Sequence, residues 1–344
     1  MQVQWLRPQD EKEWNKYVSI SGNASLYHHA GWKKVIEKSF GHKTYYLLSE
    51  NSNKKVNGIL PLVHLKSLLF GNFMVSVPYF NYGGICADSA DVYRALLEEA
   101  VRIAKSENVE HIELREHRQH NNGLPFKTSK VCMLLELPAN PDDLWKSFPS
   151  KLRSQIRRPE KENMYAQIGK QEELYKFYQV FLMNMRDLGT PVYSIKFFKN
   201  MLDTFPESAS ICTIYKESEP VAAGFLLGFK DRLEIPWASS IRKYNSSSPN
   251  MLLYWSALQH ACLNGYRFFD FGRSTPGEGT YKFKEQWGAK PVPLYWYYWM
   301  KDGNVQLPDL NPKNPKYNTA IAVWKKLPVG LTRVLGPAIS KNLP

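Results

Sequence analysis

The sequence predicts a mixed α/β (α+β) protein built from two tandem domains, each a mostly antiparallel sheet flanked by helices. The first observation is length, because 344 residues exceed the ~250–300 residues that one hydrophobic core commonly organises. The second is a pattern that occurs twice: a hairpin, a strand, a helix and a short closing strand. The third is composition, since 43% hydrophobic and 14% aromatic residues indicate a folded chain.

The hairpins open each copy of the pattern. Polar turns separate their β-type runs, at residues 44–50 and 56–65 in the first half and at residues 211–217 and 220–229 in the second. The second strand of each hairpin carries a glycine, Gly58 or Gly224. Identities between the halves are few, so the repeat is one of pattern.

The helices of the two copies are predicted at residues 91–106 and 250–264, before closing strands at residues 111–115 and 268–271. Apolar residues of the first helix form one stripe, and capping residues bound the second. Two further helices are expected at residues 171–188 and 194–205. The segment 142–163 is basic and helical up to Pro159. The predicted domains are therefore residues 1–140 and 141–300, the second opened by the basic helix, with a partly helical tail at 301–344.

Charge and cysteine usage limit the classes of partner. A net charge of +13 favours anions such as phosphate, nucleic acid, acidic glycan or anionic lipid without choosing among them. The four cysteines lie far apart without a Cys-x-x-Cys pair, which predicts reduced thiols, no metal site and a cytoplasmic protein (Cys86, Cys132, Cys212 and Cys262). The N-terminus has no apolar signal segment, and glycine and proline break the uncharged stretch 67–87, so no membrane span is expected.

The most informative motif spans residues 267–288. A buried strand runs into a glycine loop (Gly272, Gly277 and Gly279), and cationic and aromatic residues follow (Arg273, Lys282, Phe283, Lys284 and Trp287). Glycines let the backbone approach a ligand, and fixed cations hold an anion or a developing oxyanion. The alternative is a structural loop capped by aromatic packing.

This motif resembles the end of the Fem-type transferases, which are tandem GNAT-like acyltransferases. Their closing motif, a glycine loop followed by Phe-Lys-x-x-aromatic-Gly, stands here as Phe283-Lys284 and Trp287-Gly288. Residues 149–161 resemble the basic helix that opens the second Fem domain, and residues 81–84 (Asn-Tyr-Gly-Gly) match a piece of the first. The resemblance covers residues 1–300 and is greater to the subgroup associated with exopolysaccharide and PEP-CTERM export than to the peptidoglycan-bridge enzymes, whose long coiled-coil insertion in the second domain is missing here.

The resemblance implies amide formation on an amine-bearing sugar or peptide of a peptidoglycan, other cell-envelope or exopolysaccharide precursor. It implies no tightly bound cofactor, with acyl-CoA or aminoacyl-tRNA as donor. The expected partners are a lipid-linked glycan or peptide precursor and tRNA, with contact at the inner face of the membrane and no DNA. Such a reaction proceeds by positioning and oxyanion stabilisation, without a nucleophilic side chain.

The resemblance assigns catalysis to Phe283 and Lys284, because spacing alone does not separate Lys284 from Lys282. Asp270 is a candidate base toward an amine, or else a hydrogen-bonded carboxylate at a strand end. The candidate substrate-binding residues are Arg273, Asn81, Tyr82, Gly83, Lys151, Arg153, Arg157 and Trp287. The alternatives for these are a β-bulge at the glycines and a solvated face at the basic helix.

A donor site is expected where ordinary GNAT enzymes carry Arg-x-x-Gly-x-Gly. Here that segment lacks glycine, and the candidate residues are Arg242, Ser248 and Asn250, with simple N-capping by Ser248 or Asn250 as the alternative. The tail after residue 318 is either an interfacial helix or packs back onto the protein. The competing hypothesis for the whole chain is a non-catalytic basic module that binds an anionic polymer or RNA.

Overall fold

The computed structural model describes residues 2–301, 303, 307–308 and 318–343. The chain forms two compact units. Unit 1 comprises Met1–Val131, Pro293–Leu310 and Lys341–Pro344, and unit 2 comprises Cys132–Val292 and Asn311–Ser340. Each unit holds helices around one mainly antiparallel sheet, so the predicted mixed α/β fold class is confirmed.

The elements of unit 1 are β1 (Gln2–Trp5), α1 (Glu11–Ile20), α2 (Gly31–Phe40), β2 (Lys43–Glu50), β3 (Val56–Ser67), β4 (Gly71–Val75), β5 (Cys86–Ala87), α3 (Ala90–Ser106), β6 (His111–Glu116), β7 (Phe126–Lys127) and a later strand, Tyr295–Met300. That strand is β15 in chain order. The sheet order is β1-β2-β3-β4-β6-β15-β7, with β5 pairing β3. β4 and β6 are parallel, and their neighbours are antiparallel.

Helix α3 packs closely on the sheet of unit 1. A Cβ atom at Gly58 would lie 2.3 Å from Val92 Cγ1, so only glycine at this point of β3 permits the close approach. The core beneath α3 is aliphatic, with Leu60, Met74, Leu96 and Ile112 fully buried. The helix predicted at residues 91–106 is thus confirmed one residue longer, with Ser89 Oγ accepting from the Val92 N–H as its N-cap.

The elements of the second sheet and its helices are β8 (Val131–Glu136), α4 (Pro141–Ser147), α5 (Ser150–Lys161), β9 (Met164–Gly169), α6 (Leu174–Leu188), α7 (Ile195–Thr204), β10 (Ala209–Lys216), β11 (Glu219–Phe229), β12 (Arg232–Ser240), α8 (Pro249–Leu263), β13 (Phe268–Ser274), α9 (Gly279–Glu285), β14 (Lys290–Pro293), α10 (Asn318–Trp324) and α11 (Val329–Ser340). The order is β14-β8-β13-β12-β11-β10-β9, with β12 and β13 parallel. In both sheets, the closing strand of the repeated pattern (β6 or β13) therefore lies parallel to the strand that follows the hairpin (β4 or β12).

The two units divide the chain differently from the predicted boundaries. The sequence assigns residues up to 300 to the second domain, yet β15 pairs with β6 of the first sheet, where it buries Tyr297 and Tyr298. Residues 318–340 of the tail lie in unit 2, where the Ser340 hydroxyl donates to the Val192 carbonyl at 3.0 Å. Pro159 is also not the end of α5, which continues to Lys161. In the part of the chain that the structure describes, no helix combines the length and apolar character needed to cross a membrane.

Candidate functional site

Within the last residues of β13 in unit 2, the main chain turns at Gly272 and Arg273, and a buried lysine fixes this turn. Gly272 adopts a φ of +73°, a left-handed conformation that suits glycine, and its N–H donates to Asp270 Oδ1 at 2.8 Å. The Lys284 Nζ donates to the carbonyl oxygens of Gly272, at 3.0 Å, and Arg273, at 2.9 Å. The lysine side chain is therefore bound to the main chain of the turn, and only 7% of the residue is exposed.

The segment that follows the glycine loop forms helix α9, and this helix places the two lysines of the motif in different surroundings. Residues two apart on a helix point about 200° apart, given ~3.6 residues per turn. Lys284 faces this turn near the end of β13, whereas Lys282 is exposed to solvent. The structure thus distinguishes the two lysines where their spacing in the sequence does not.

Charged and polar groups surround the Lys284 ammonium. Burial lowers the pKa of Lys284 to about 8, and the neighbouring Asp270, Cys132 and Glu234 act in the opposite direction. Asp270 is fully buried, with its Oδ2 3.6 Å from an Arg232 nitrogen, and it lies opposite Glu234 in the parallel register of β12 and β13. Burial raises the pKa of the Cys132 thiol, and the two carboxylates reinforce the effect.

These contacts make Asp270 a hydrogen-bonded carboxylate inside the sheet. Its Oδ1 accepts from the main chain, and no part of the residue is exposed. A buried carboxylate that holds a neighbouring N–H supports the conformation of the turn. Lys284 holds the same turn through the carbonyl oxygens of Gly272 and Arg273. The exposed cation of this turn is Arg273.

An aromatic cluster joins α9 to α4 and α8. The Phe283 ring lies 5.1 Å from that of Tyr254, and the buried Trp287 ring lies 5.5 Å from that of Phe148, which in turn contacts Trp255. Beside it is a cavity of about 550 Å³, lined by α4, the end of β8 and residues 285–288 of the motif. Trp287 Nε1 has no hydrogen-bond partner among the described residues. This cavity borders the end of the motif in unit 2.

The basic helix α5 presents cations on its solvent side. Leu152 and Ile156 are buried, whereas Lys151 and Arg157 are exposed and Arg153 is partly exposed. The Arg157 guanidinium lies over the Trp145 ring, 5.1 Å from its centre. Arginines held in this way on an exposed helix face suit contacts with phosphate, although a solvated face has the same appearance.

The predicted donor site at the start of α8 offers few main-chain donors. Ser248 takes a φ of +57° without capping the helix, Pro249 lacks an N–H, and the Met251 N–H is bound to the Ser248 carbonyl. The Asn250 amide donates to Ser240 Oγ at 3.2 Å, and Arg242 is exposed. A helix start with so few available N–H groups is a weaker anion site than the glycine-rich loop of ordinary GNAT enzymes.

The candidate residues of unit 1 form a wall next to Arg115. The Asn81 carbonyl accepts from Trp296 Nε1, and the N–H groups of Gly83 and Gly84 both donate to the Arg115 carbonyl. Tyr82 is buried, with its ring 5.5 Å from that of Tyr27. Asn81, Tyr82 and Gly83 do not line the cavity of about 480 Å³ in this unit, to which the nearby Ile85 contributes.

The chain is similar to one family model and to several solved structures. Residues 146–285 match the model of the acetyltransferase (GNAT) domain family. The structure of FemX is similar, with a TM-score of 0.65 and 15% identity over 86% of this chain and 97% of that chain. L-PGS from Bacillus licheniformis is also similar, with a TM-score of 0.58 and 16% identity over 97% of this chain and 98% of that chain. A tandem GNAT protein from the clavulanic acid biosynthesis pathway has a TM-score of 0.53 and 8% identity over 90% of this chain and 100% of that chain. No curated protein sequence matches.

The fold is that of a Fem-like tandem GNAT protein. The matched GNAT domain begins in α4 and ends with α9, so it contains the turn near the end of β13, the basic helix and the start of α8. The structure brings together Asp270, Arg273, Phe283 and Lys284 of this domain and Trp287, which lies just beyond its last matched residue. The predicted residues on α5 and α8 belong to the same unit, whereas Asn81, Tyr82 and Gly83 belong to unit 1.

Two sets of residues escape the sequence patterns. Cys132 and Glu234 lie near Asp270 only because β8 and β12 flank β13, which the sequence does not reveal. Glu116 ends β6, one residue beyond the predicted closing strand, and borders a cavity of unit 1. The sequence signal that could have identified Glu116 is the pair of histidines shortly after this strand, His117 and His120.

Proposed function

We propose that this protein is an acyltransferase that forms an amide on an amine-bearing sugar or peptide of a cell-envelope or exopolysaccharide precursor. The observation that carries the proposal is the main-chain turn at Gly272 and Arg273 of β13, which Lys284 holds inside the matched GNAT domain. FemX and the C-terminal domain of a putative lysylphosphatidylglycerol synthetase from Agrobacterium fabrum share the fold and support an acceptor of the cell envelope.

The reaction needs no side-chain nucleophile. The acceptor amine attacks the carbonyl carbon of a thioester or ester donor, loses one proton, and expels the thiol or hydroxyl of the donor through an oxyanion intermediate. All four cysteines are buried, and burial raises the pKa of each thiol, which disfavours thiolate chemistry (Cys86, Cys132, Cys212 and Cys262). Direct transfer to an amine agrees with this set of side chains.

In this reaction Lys284 is a positioning residue. Its ammonium is engaged by two carbonyl oxygens, so it fixes the course of the main chain at Gly272 and Arg273. The exposed Arg273 then supplies the cation that reaches a donor phosphate or the oxyanion. Trp287 and Phe283 pack behind the turn and keep its shape.

The donor is either an acyl-CoA or an aminoacyl-tRNA. The basic helix α5 favours a donor or acceptor with several phosphates, and the small number of N–H groups at the start of α8 disfavours pyrophosphate binding in the manner of ordinary GNAT enzymes. We propose a cytoplasmic protein that works beside the inner face of the membrane, where lipid-linked precursors lie.

Donor identification tests this proposal. The protein is purified at low salt and its bound molecules are identified by mass spectrometry and RNA analysis, and melting is followed with coenzyme A or tRNA added. Co-purified tRNA indicates aminoacyl transfer, and stabilisation by coenzyme A indicates N-acylation. The competing function is a binding module for an anionic polymer, which the net charge of +13 favours. That function prevails if neither donor binds while polyanions bind with a steep salt dependence.

A further inference from the structure

Unit 1 contains a cavity of about 480 Å³ between α3, β5 and the segment that follows β6. Its polar lining includes Asn23, His28, Tyr93, Glu116, His120 and Asn122. The volume is in the range of small-molecule sites, ~300–1,000 Å³, which typically combine an apolar wall with a few polar groups. Leu97, Ile85 and Ala87 provide the apolar part here.

Glu116 is the acidic group of this cavity. The carboxylate accepts the Ile85 N–H at 2.8 Å, and only 4% of the residue is exposed. Burial raises the pKa of Glu116 to about 8, and hydrogen bonds from Ile85 and Tyr93 act in the opposite direction. Within the described part of the chain, the one basic group within 4 Å is His120, whose Nε2 lies 3.8 Å away. Burial and Arg118 lower the pKa of His120, so this imidazole is neutral at pH 7.

The same strand offers a direct comparison. Glu113 is also buried on β6, but Arg115 Nε lies 2.7 Å from one carboxylate oxygen and the Tyr298 hydroxyl donates to the other at 2.9 Å. These partners hold the pKa of Glu113 below its usual value despite burial. The fold thus supplies a cation to Glu113, while Glu116 faces open space. A buried carboxylate is costly without a cation, and a ligand that brings one offsets this cost.

The opening of the cavity has the opposite charge. Arg94 and Arg118 both line it and are exposed. Two cations at the opening repel a ligand that carries only an ammonium group, but they attract a ligand that also carries an acid. We propose that this cavity binds a small zwitterion, whose ammonium pairs with Glu116 and whose acid group lies toward Arg94 and Arg118. The site is independent of the acyltransferase proposal, which rests on unit 2.

Calorimetry on the full chain tests the site with ω-aminoalkyl phosphates of two to six carbons. The controls are the matched alkylamines, which lack the acid, and the matched alkyl phosphates, which lack the ammonium. At least one aminoalkyl phosphate is expected to bind about tenfold or more tightly than both of its halves, a factor that corresponds to one ion pair of ~1.4 kcal/mol. The proposal is overturned if no member of the series binds more tightly than its halves.

The pH dependence has a definite sign. Glu116 must lose its proton to pair with an ammonium, so affinity is expected to rise between pH 6.5 and 8, with protons released on binding. The other titratable or charged groups that face Glu116 are Tyr93, Cys86, Tyr297, His28, His117, His120, Arg94 and Arg118. Release is measured from the dependence of the binding enthalpy on buffer. Affinity that falls over this range would show that the protonated acid binds the ligand, which contradicts the ion pair.

Two variants locate the contacts. Glu116→Gln keeps an oxygen for the Ile85 N–H and is expected to bind aminoalkyl and alkyl phosphates equally. Glu98→Gln, the same change at an exposed position of α3 outside the cavity, should leave the ammonium preference intact. Arg94→Gln should weaken binding of both phosphates. An ammonium preference that survives in Glu116→Gln overturns the proposal. If that variant does not fold, the proton release measured on the wild-type chain decides whether Glu116 pairs with the ammonium.

Discussion

Lys284 and Lys282 lie two positions apart on α9, yet only Lys284 is buried and bound to main-chain oxygens. The sequence motif singles out Lys284, but the sequence does not show that its ammonium donates to the main-chain carbonyls of Gly272 and Arg273. The same holds for Asp270: strand patterning predicts a central strand, but its hydrogen bond to the Gly272 N–H depends on how the strand ends. Residue identity was thus predictable, and partners were not.

The lysine pair provides a matched test. Lys284→Met keeps most of the side-chain volume but leaves two buried carbonyls without their donor, which costs about 1–3 kcal/mol each when unsatisfied. We expect a lower melting temperature and a turnover reduced about 10²-fold or more. Lys284→Arg should restore only part of the turnover, because a planar guanidinium does not match this site. Lys282→Met should change neither quantity, since Lys282 is exposed.

A pH titration of stability separates burial from a loss of packing. The pKa of Lys284 is about 8 in the folded chain and near 10.5, the ordinary value of a lysine, in the unfolded chain, so between these values the unfolded state holds more protons. The unfolding free energy of the wild type should therefore rise from pH 8 to 10 relative to Lys284→Met, by ~1.4 kcal/mol per unit of pKa difference at most. A constant difference between the two proteins over this range would mean that Lys284 is not buried as described.

At the scale of elements, long patterned segments were predictable and short ones were not. The apolar stripe predicts α3, and the residues that bound α8 predict its ends, in each case within one or two residues, although Ser248 does not cap α8 in the structure. Helix α9 has only seven residues and includes a glycine, so local preference does not predict it; the contact of Lys284 with the preceding turn holds it in place. β15 pairs with β6, a long-range contact that no local sequence pattern predicts.

Helix α5 is the element whose function is most easily tested. The double variant Arg153→Ala and Arg157→Ala is expected to weaken binding of a phosphate-bearing substrate and to lower the slope of log affinity against log salt by about 1–2 units. Stability should change by ~1 kcal/mol or less, since exposed arginines contribute little and one of them stacks on Trp145. Binding is measured by fluorescence anisotropy with labelled tRNA.

The control for this variant removes the same charge elsewhere. Lys176→Ala with Lys196→Ala changes two exposed lysines, on α6 and α7 of the same unit. If both double variants lose affinity equally, the effect belongs to net charge and α5 is a solvated face. A loss confined to the α5 variant assigns the contact to this helix.

At the scale of the whole chain, the repeated pattern was sufficient to predict the fold class but not how the chain divides. The C-terminal segments return to units that precede them, β15 to unit 1 and residues 318–340 to unit 2. The net charge of +13 is a property of the whole chain and does not choose between an enzyme and a polyanion-binding module. That choice depends on chemistry, which only a reaction product reveals.

The central claim is that the chain moves an acyl group onto an amine. The direct measurement is transfer of label from an acyl-CoA pool or from charged tRNA to amine-bearing envelope precursors, in the presence of the purified protein. Products are treated with neutral hydroxylamine, which cleaves thioesters and aminoacyl esters but not amides. We predict label in a hydroxylamine-resistant product that the wild type and Lys282→Met form and that Lys284→Met forms about 10²-fold more slowly. No resistant product with either donor, from a folded protein that still binds polyanions, would contradict the account.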